Sequence, residues 1–161
     1  MTVKEYNKAV EEHADGVYRF ILKNLKDADR AADVVQDSFE KLWMNVGEIE
    51  YSVAKSWLFS TAYHQMIDNI RKESRMVLME SHDDRNLFYE GSYSDLPELL
   101  NQAIEKLPEQ QRSVIMLRDY EGYSYKEIAD ITGMTEAVVK INIYRGRMEL
   151  KRYIGSIEAV V

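Results

Sequence analysis

An all-α fold, with two small helical domains joined by an acidic linker, is what the sequence predicts, and three observations predict it. Apolar residues recur at spacings of three and four along most of the chain, and strand-like alternation of apolar and polar residues is absent. Only two prolines and seven glycines interrupt the 161 residues. At 45% apolar and 30% charged composition, the chain can bury one modest core or two small ones and remain in solution. It has no apolar run of about 18 residues, and the N-terminal MTVKEYNKAVEEH lacks the basic and then apolar order of a signal peptide. A cytoplasmic protein without membrane insertion is therefore expected. Without cysteine there is neither a disulfide nor a thiolate metal site, and His13, His64 and His82 lie in unrelated segments, so no metal and no other cofactor is expected.

Residues 1–76 form the first predicted domain. Its first helix runs from about Val3 to Leu25, its second from about Ala28 to Val46 before Gly47, and its third from about Ser52 to Lys72. Residues 77–95, VLMESHDDRNLFYEGSYSD, have no sustained period and carry Glu80, Asp83, Asp84, Glu90 and Asp95 against one arginine, which makes them the linker. Residues 96–161 form the second domain. Pro97 opens a short helix, Pro108 stands where the next begins, and Gly122 ends that one. Ser124-Tyr-Lys-Glu127 has the form of a capping box, so another helix starts at Ser124 and stops at Gly133. Thr135 then caps the last helix, and a turn of about three residues separates the two. Ala129 and Gly133, four apart, are small enough to let two helices approach closely. Together these features predict a helix-turn-helix.

The last helix resolves a conflict of charge. The chain carries −7, but between Thr135 and Tyr153 five basic residues face two acids, a local +3. Val139, Ile143, Gly146 and Leu150 share one face and pack inward. The other face presents Ala137, Ile141, Tyr144, Arg145, Met148 and Arg152, flanked by Lys140, Arg147 and Lys151. Such a helix neutralises phosphates with its cations while its first turns reach base edges in the major groove. In the second helix the inward stripe is Val35, Phe39, Leu42 and Val46, and the outward side carries Asp33, Asp37, Glu40 and Met44 with Gln36 and Lys41 at its edges. Acids beside apolar surface fit a basic protein partner, and equally fit a solvated face. In the third helix Trp57, Thr61, His64, Asp68 and Arg71 share a side while Leu58, Ala62 and Met66 turn inward. With Lys72 next to Arg71, that side offers a stacking aromatic and cations for an unpaired strand, although Trp57 taken alone reads as packing against the preceding loop and helix.

DADRAADVVQDSFEKLW, AKSWLFSTAYHQMIDNIRK and LPEQQRSVIMLRDYEGYSYKEIADITGMTEAVVKINIYRGRMELKRYI, in this order and with a linker between the second and third, resemble bacterial RNA polymerase sigma factors of the extracytoplasmic-function group, which keep only sigma regions two and four. The resemblance implies that Asp33, Gln36, Asp37, Glu40, Lys41 and Trp43 dock on core RNA polymerase, with Phe39 in the core. It implies that Trp57, Thr61, His64, Asp68, Arg71 and Lys72 read and melt the minus-ten element of promoter DNA. It places Thr135, Glu136, Lys140, Ile141, Asn142, Tyr144, Arg145 and Arg147 at the minus-thirty-five element, and it implies an anti-sigma partner. His64 replaces an asparagine usual in the family, Ile141-Asn142 replaces a serine-arginine pair, and Thr132 stands where an apolar residue is usual. Lys140, Arg145 and Arg147 are expected to supply salt-dependent affinity, and Thr135, Glu136, Ile141 and Asn142 base selection, with Ile141 against a thymine methyl. The rival reading is an operator-binding regulator that needs no polymerase. No motif of a catalytic site or a small-molecule substrate pocket is present.

Overall fold

The structure, a computed structural model, describes residues 1–79 and 96–160. Of the stretch 77–95 read as acidic linker, residues 77–79 belong to the helix before it, and residues 80–95 lie outside the described residues. Seven α-helices account for nearly all the rest: α1 (Val3–Leu25), α2 (Ala28–Met44), α3 (Ala54–Met79), α4 (Leu96–Glu105), α5 (Glu109–Ile115), α6 (Tyr125–Thr132) and α7 (Glu136–Val160). A 3-10 turn, Tyr51–Val53, leads into α3, and a π-helical segment, Met116–Tyr120, extends α5. No strand occurs among the described residues.

Local chemistry explains most boundaries. Thr2 and Glu5 make a capping box at the start of α1, and the Asp27 carboxylate accepts from the amides of Asp29 and Arg30 at the start of α2. Ser124 and Glu127 make the second box, with Glu127 N to Ser124 Oγ at 3.1 Å and Ser124 N to Glu127 Oε1 at 2.9 Å. The same contacts hold the Glu127 carboxyl below its usual pKa. Ser124→Ala is expected to lower the stability of the protein by about 1 kcal/mol. Urea unfolding checks this, and an unchanged midpoint would mean that the box contributes nothing.

Three sequence expectations need correction. Helix α2 ends at Met44, and its inward stripe is Ala31, Val34, Ser38, Phe39 and Leu42. Val35 sits at the edge of that stripe and Val46 lies past the helix end. Helix α3 continues past Lys72 to Met79, because no glycine or proline interrupts it and an ion pair from Arg30 to Glu73 anchors its added turns. Gly133 does not serve close helix packing. It is exposed, closes α6 in the left-handed conformation at φ +80°, and donates its N–H to Ala129 O at 2.9 Å. Close approach falls instead at Gly146, where an added Cβ would lie 2.3 Å from Ile115 Cδ1.

The two halves share one core. Helices α1, α2 and α3 pack together, α5 and α6 pack on α7, and α3 lies against α6 while α1 meets α5. Buried residues run without a break from Ala9, Phe20 and Phe59 to Tyr123, Ile128 and Ile143. Phe20 and Phe59 lie 5.6 Å apart by ring centroid, and Phe59 meets Tyr123 edge-on at 5.7 Å, which carries aromatic packing across the junction.

Candidate protein- and nucleic-acid-binding faces

On α2 the core-facing stripe leaves Asp33, Gln36, Asp37, Glu40 and Lys41 exposed on the opposite side. At the end of the helix Met44 is 75% exposed and Trp43 47%, while Phe39 is buried. The indole of Trp43 rests edge-on against Tyr6 at 5.0 Å, and the Tyr6 hydroxyl donates to Phe39 O, so α1 fixes the aromatic end of this face. Asp37 accepts a hydrogen bond of 2.8 Å from Gln65 Nε2 on α3, which ties the acidic face to the neighbouring helix. The result is a carboxylate-rich surface ending in apolar side chains, a shape suited to a basic protein partner with an apolar anchor point.

On α3, Leu58, Ala62 and Met66 are fully buried as their spacing predicts. Trp57 and Thr61 are half-buried, Trp57 packing on the core, whereas His64, Asp68, Arg71 and Lys72 are exposed. His64 Nδ1 bonds to Ser60 O at 2.8 Å, and Nε2 faces the turn at Gly133, where an added Cβ would lie 3.8 Å from it. Asp68, Ile70, Arg71, Lys72, Ser74 and Arg75 line an open hollow of about 690 Å³. Arg75 was missed by the sequence reading because the helix was ended at Lys72; its spacing of four from Arg71 is the signal that would have found it.

On α7, Thr135 Oγ1 accepts from Val138 N at 3.2 Å and caps the helix. Glu136, Lys140, Ile141, Tyr144 and Arg145 are exposed, and Val138 adds a further exposed apolar group beside Ile141. Asn142, expected to take part in base selection, lies on the core side of the helix. It is 8% exposed, and its amide donates to Val138 O at 3.0 Å, so it faces the core and its donor is already used. Arg147 is tied to Asp119 by an ion pair of 2.5 Å, which raises the pKa of the guanidinium and leaves it less free for a phosphate. Lys140 Nζ and the Arg118 guanidinium both stand over the Tyr125 ring, at 5.6 and 4.7 Å, a cation–aromatic cluster beside the turn. Thr132 keeps its place before Gly133 by donating its hydroxyl to Ile128 O and accepting from Met134 N.

The described residues hold no cluster of metal-ligating side chains and no helix long and apolar enough to cross a membrane. A helical half with an acidic outer face, followed by a helix-turn-helix with a basic outer face, defines the class. The model of sigma-70 region 2 matches residues 9–76, and that of sigma-70 region 4 matches residues 98–150. The chain is 29% identical over 156 residues to the ECF RNA polymerase sigma factor SigM of Bacillus subtilis, covering 94% of each. It is 30% identical over 142 residues to the sigma factor SigV of the same organism, covering 84% of this chain and 82% of that one. The sigma factor RpoE of Bartonella quintana, solved in complex with the anti-sigma factor NepR, shares the fold at a TM-score of 0.79 and 24% identity, over 95% of this chain and 98% of that one. The chain belongs to the sigma-70 family. Within it, the chain is a sigma factor of the extracytoplasmic-function group, a transcription initiation factor that works with core RNA polymerase.

Proposed function

We propose that the faces described above divide the work of initiation among three helices. Helix α2 docks on core RNA polymerase through Asp33, Gln36, Asp37, Glu40, Lys41 and Trp43. Helix α3 holds the unpaired minus-ten strand through Trp57, Thr61, His64, Asp68, Arg71 and Lys72, with Arg75 added as a further cation for its phosphates. Helix α7 enters the major groove of the minus-thirty-five element through Thr135, Glu136, Lys140, Ile141, Tyr144 and Arg145. Asn142 and Arg147 position that helix from behind, given their bonds to Val138 and Asp119. Residues 1–76 and 96–161 act as the two functional units on either side of the linker. No reaction is catalysed by the chain itself, and it works in the cytoplasm alongside polymerase. Relatives of the same fold solved with the anti-sigma factors NepR and CnrY support an anti-sigma partner for this chain too.

The observation that carries this reading is the acidic, apolar-tipped outer face of α2, on which Asp33, Gln36, Glu40, Lys41 and Met44 are exposed. Gel filtration of the purified protein with bacterial core polymerase tests it. Wild type is expected to co-elute, and Asp37→Arg to weaken the complex by at least tenfold, since a reversed charge within a complementary interface costs more than a lost one. Asp33→Arg provides a second reversal on the same face. Failure of wild type to bind core at micromolar concentration would favour the operator-binding regulator.

A further inference from the structure

The outermost row of side chains on α7 is apolar. At about 100° per residue, Ala137, Ile141, Tyr144 and Met148 fall within an arc of about 60°, on the side of the helix opposite the buried Val139, Ile143 and Gly146. All four are exposed, Ile141 at 45%, Met148 at 50% and Tyr144 at 65%, and Val138 widens the row at its edge. Single exposed apolar side chains are ordinary, but a row of them rimmed by charge marks a contact surface. The rims are cationic, with Lys140 on one side of the row and Arg145 on the other, where the phosphates that wall a groove would lie.

Polar groups with the reach to read base edges are engaged elsewhere. The Asn142 amide donates to Val138 O, the Thr135 hydroxyl oxygen accepts from Val138 N, and Arg147 is paired with Asp119. In the row itself the Tyr144 hydroxyl is the one hydrogen-bonding group, and Glu136, exposed in the first turn, can only accept. The major groove offers such a face one apolar group, the C5 methyl of thymine. Ala137 and Tyr144 stand two turns apart, about 10 Å along the axis, which matches three base pairs at about 3.4 Å each.

We propose that Ala137, Ile141 and Tyr144 together select the minus-thirty-five element by packing on thymine methyl groups over about three successive base pairs, with Ile141 at the centre. The proposal rests on the placement of α7 in that element. Readout of this kind has a chemical signature that hydrogen-bonded readout lacks. Uracil pairs as thymine does and lacks only the methyl, so it is rejected, whereas 5-methylcytosine carries a methyl at the same ring position and is accepted in part.

Holoenzyme assembled from the full chain and bacterial core polymerase tests this by selection from duplex promoter fragments randomised at the minus-ten and minus-thirty-five positions. The selected fragments are expected to hold two or more thymines, on either strand, within one run of about three pairs at minus thirty-five. Replacing one of those thymines by deoxyuridine is expected to weaken binding about fourfold, the worth of one buried methyl group. A pair of guanine with 5-methylcytosine at that position should bind better than its unmethylated counterpart. Ile141→Ala alters an exposed position and leaves the core untouched; the variant should no longer distinguish uracil from thymine at the central position. A merely structural effect of the substitution would weaken both DNAs alike and leave the distinction in place. Equal binding to thymine and uracil at every selected position, or a selected run of G·C pairs, would overturn methyl readout while leaving α7 at the minus-thirty-five element. Enrichment at minus ten with no preference at minus thirty-five would instead overturn the placement of α7, and the proposal with it.

Discussion

Gly146→Val is expected to destabilise the second half of the molecule by about 3 kcal/mol, the upper part of the usual range for overpacking. Gly146 lies on the buried side of α7 where α5 crosses it. An added Cβ would sit 2.3 Å from Ile115 Cδ1, 3.3 Å from Ile115 Cγ1 and 3.4 Å from Gln111 Cβ. Ile115 is 1% exposed, so its tip cannot swing away without displacing other core atoms. Valine adds two methyl groups beyond that Cβ, and the helices must separate. Gly146→Ala should cost less, since the gain of about 1 kcal/mol in helix propensity offsets part of the clash. Gly155, on the same helix, has nothing within 4 Å of an added Cβ. Gly155→Ala is therefore the control and is expected to raise stability by up to about 1 kcal/mol. Thermal unfolding separates these cases. A loss of about 3 kcal/mol in a chain of this length corresponds to a fall in Tm of roughly 6–12 °C, and an unchanged Tm for Gly146→Val would mean that the crossing is loose.

Arg112→Ala is expected to cost a similar amount, about 3 kcal/mol, for a different reason. The change removes three hydrogen bonds from a charged donor and leaves Asn24 Oδ1 and the carbonyls of Leu107 and Glu105 buried with fewer partners. It also leaves a void where the guanidinium was. Desolvation, the larger influence, draws the Arg112 pKa below its ordinary value, against the pull of Glu109 and Glu105, so part of the loss is offset by no longer burying a cation. Asn24→Ala should cost about 1–2 kcal/mol alone. Because the two side chains share one bond, the double variant should lose less than the two single losses combined, by roughly 1 kcal/mol. Strict additivity in urea unfolding would show that the 2.7 Å contact from Arg112 Nε to Asn24 Oδ1 carries no coupling. The two residues also differ in kind. Besides its bond to Asn24, Arg112 braces the α4–α5 turn within its own half through Leu107 O and Glu105 O, whereas both bonds that Asn24 Oδ1 accepts come from the other half.

Much of the site was legible in the residues, and the errors have a common cause. The bounds of α1, the capping box of Ser124 and Glu127, the stop at Gly133 and the cap at Thr135 follow from short-range rules, and the structure keeps each of them. The acidic outer face of α2 and the basic one of α7 follow from period and charge alone. What the period could not supply was the centre of each stripe. In α2 the core side is shifted by one residue to Val34, because α1 and α3 choose which part of a broad apolar arc they cover. The extra turns of α3 depended on a partner for Glu73 on another helix.

By itself the sequence determined the helices, their caps, the helix-turn-helix and the sign of charge on each outer face, since all of these depend on residues within about four positions of one another. Only the tertiary structure decided that Asn142 turns inward, that Arg147 is taken by Asp119 28 residues away, and that Arg112 closes the two halves on Asn24 88 residues away. Contacts at such separations are set by how helices pack, and helical period determines which residues can face inward without determining what they meet.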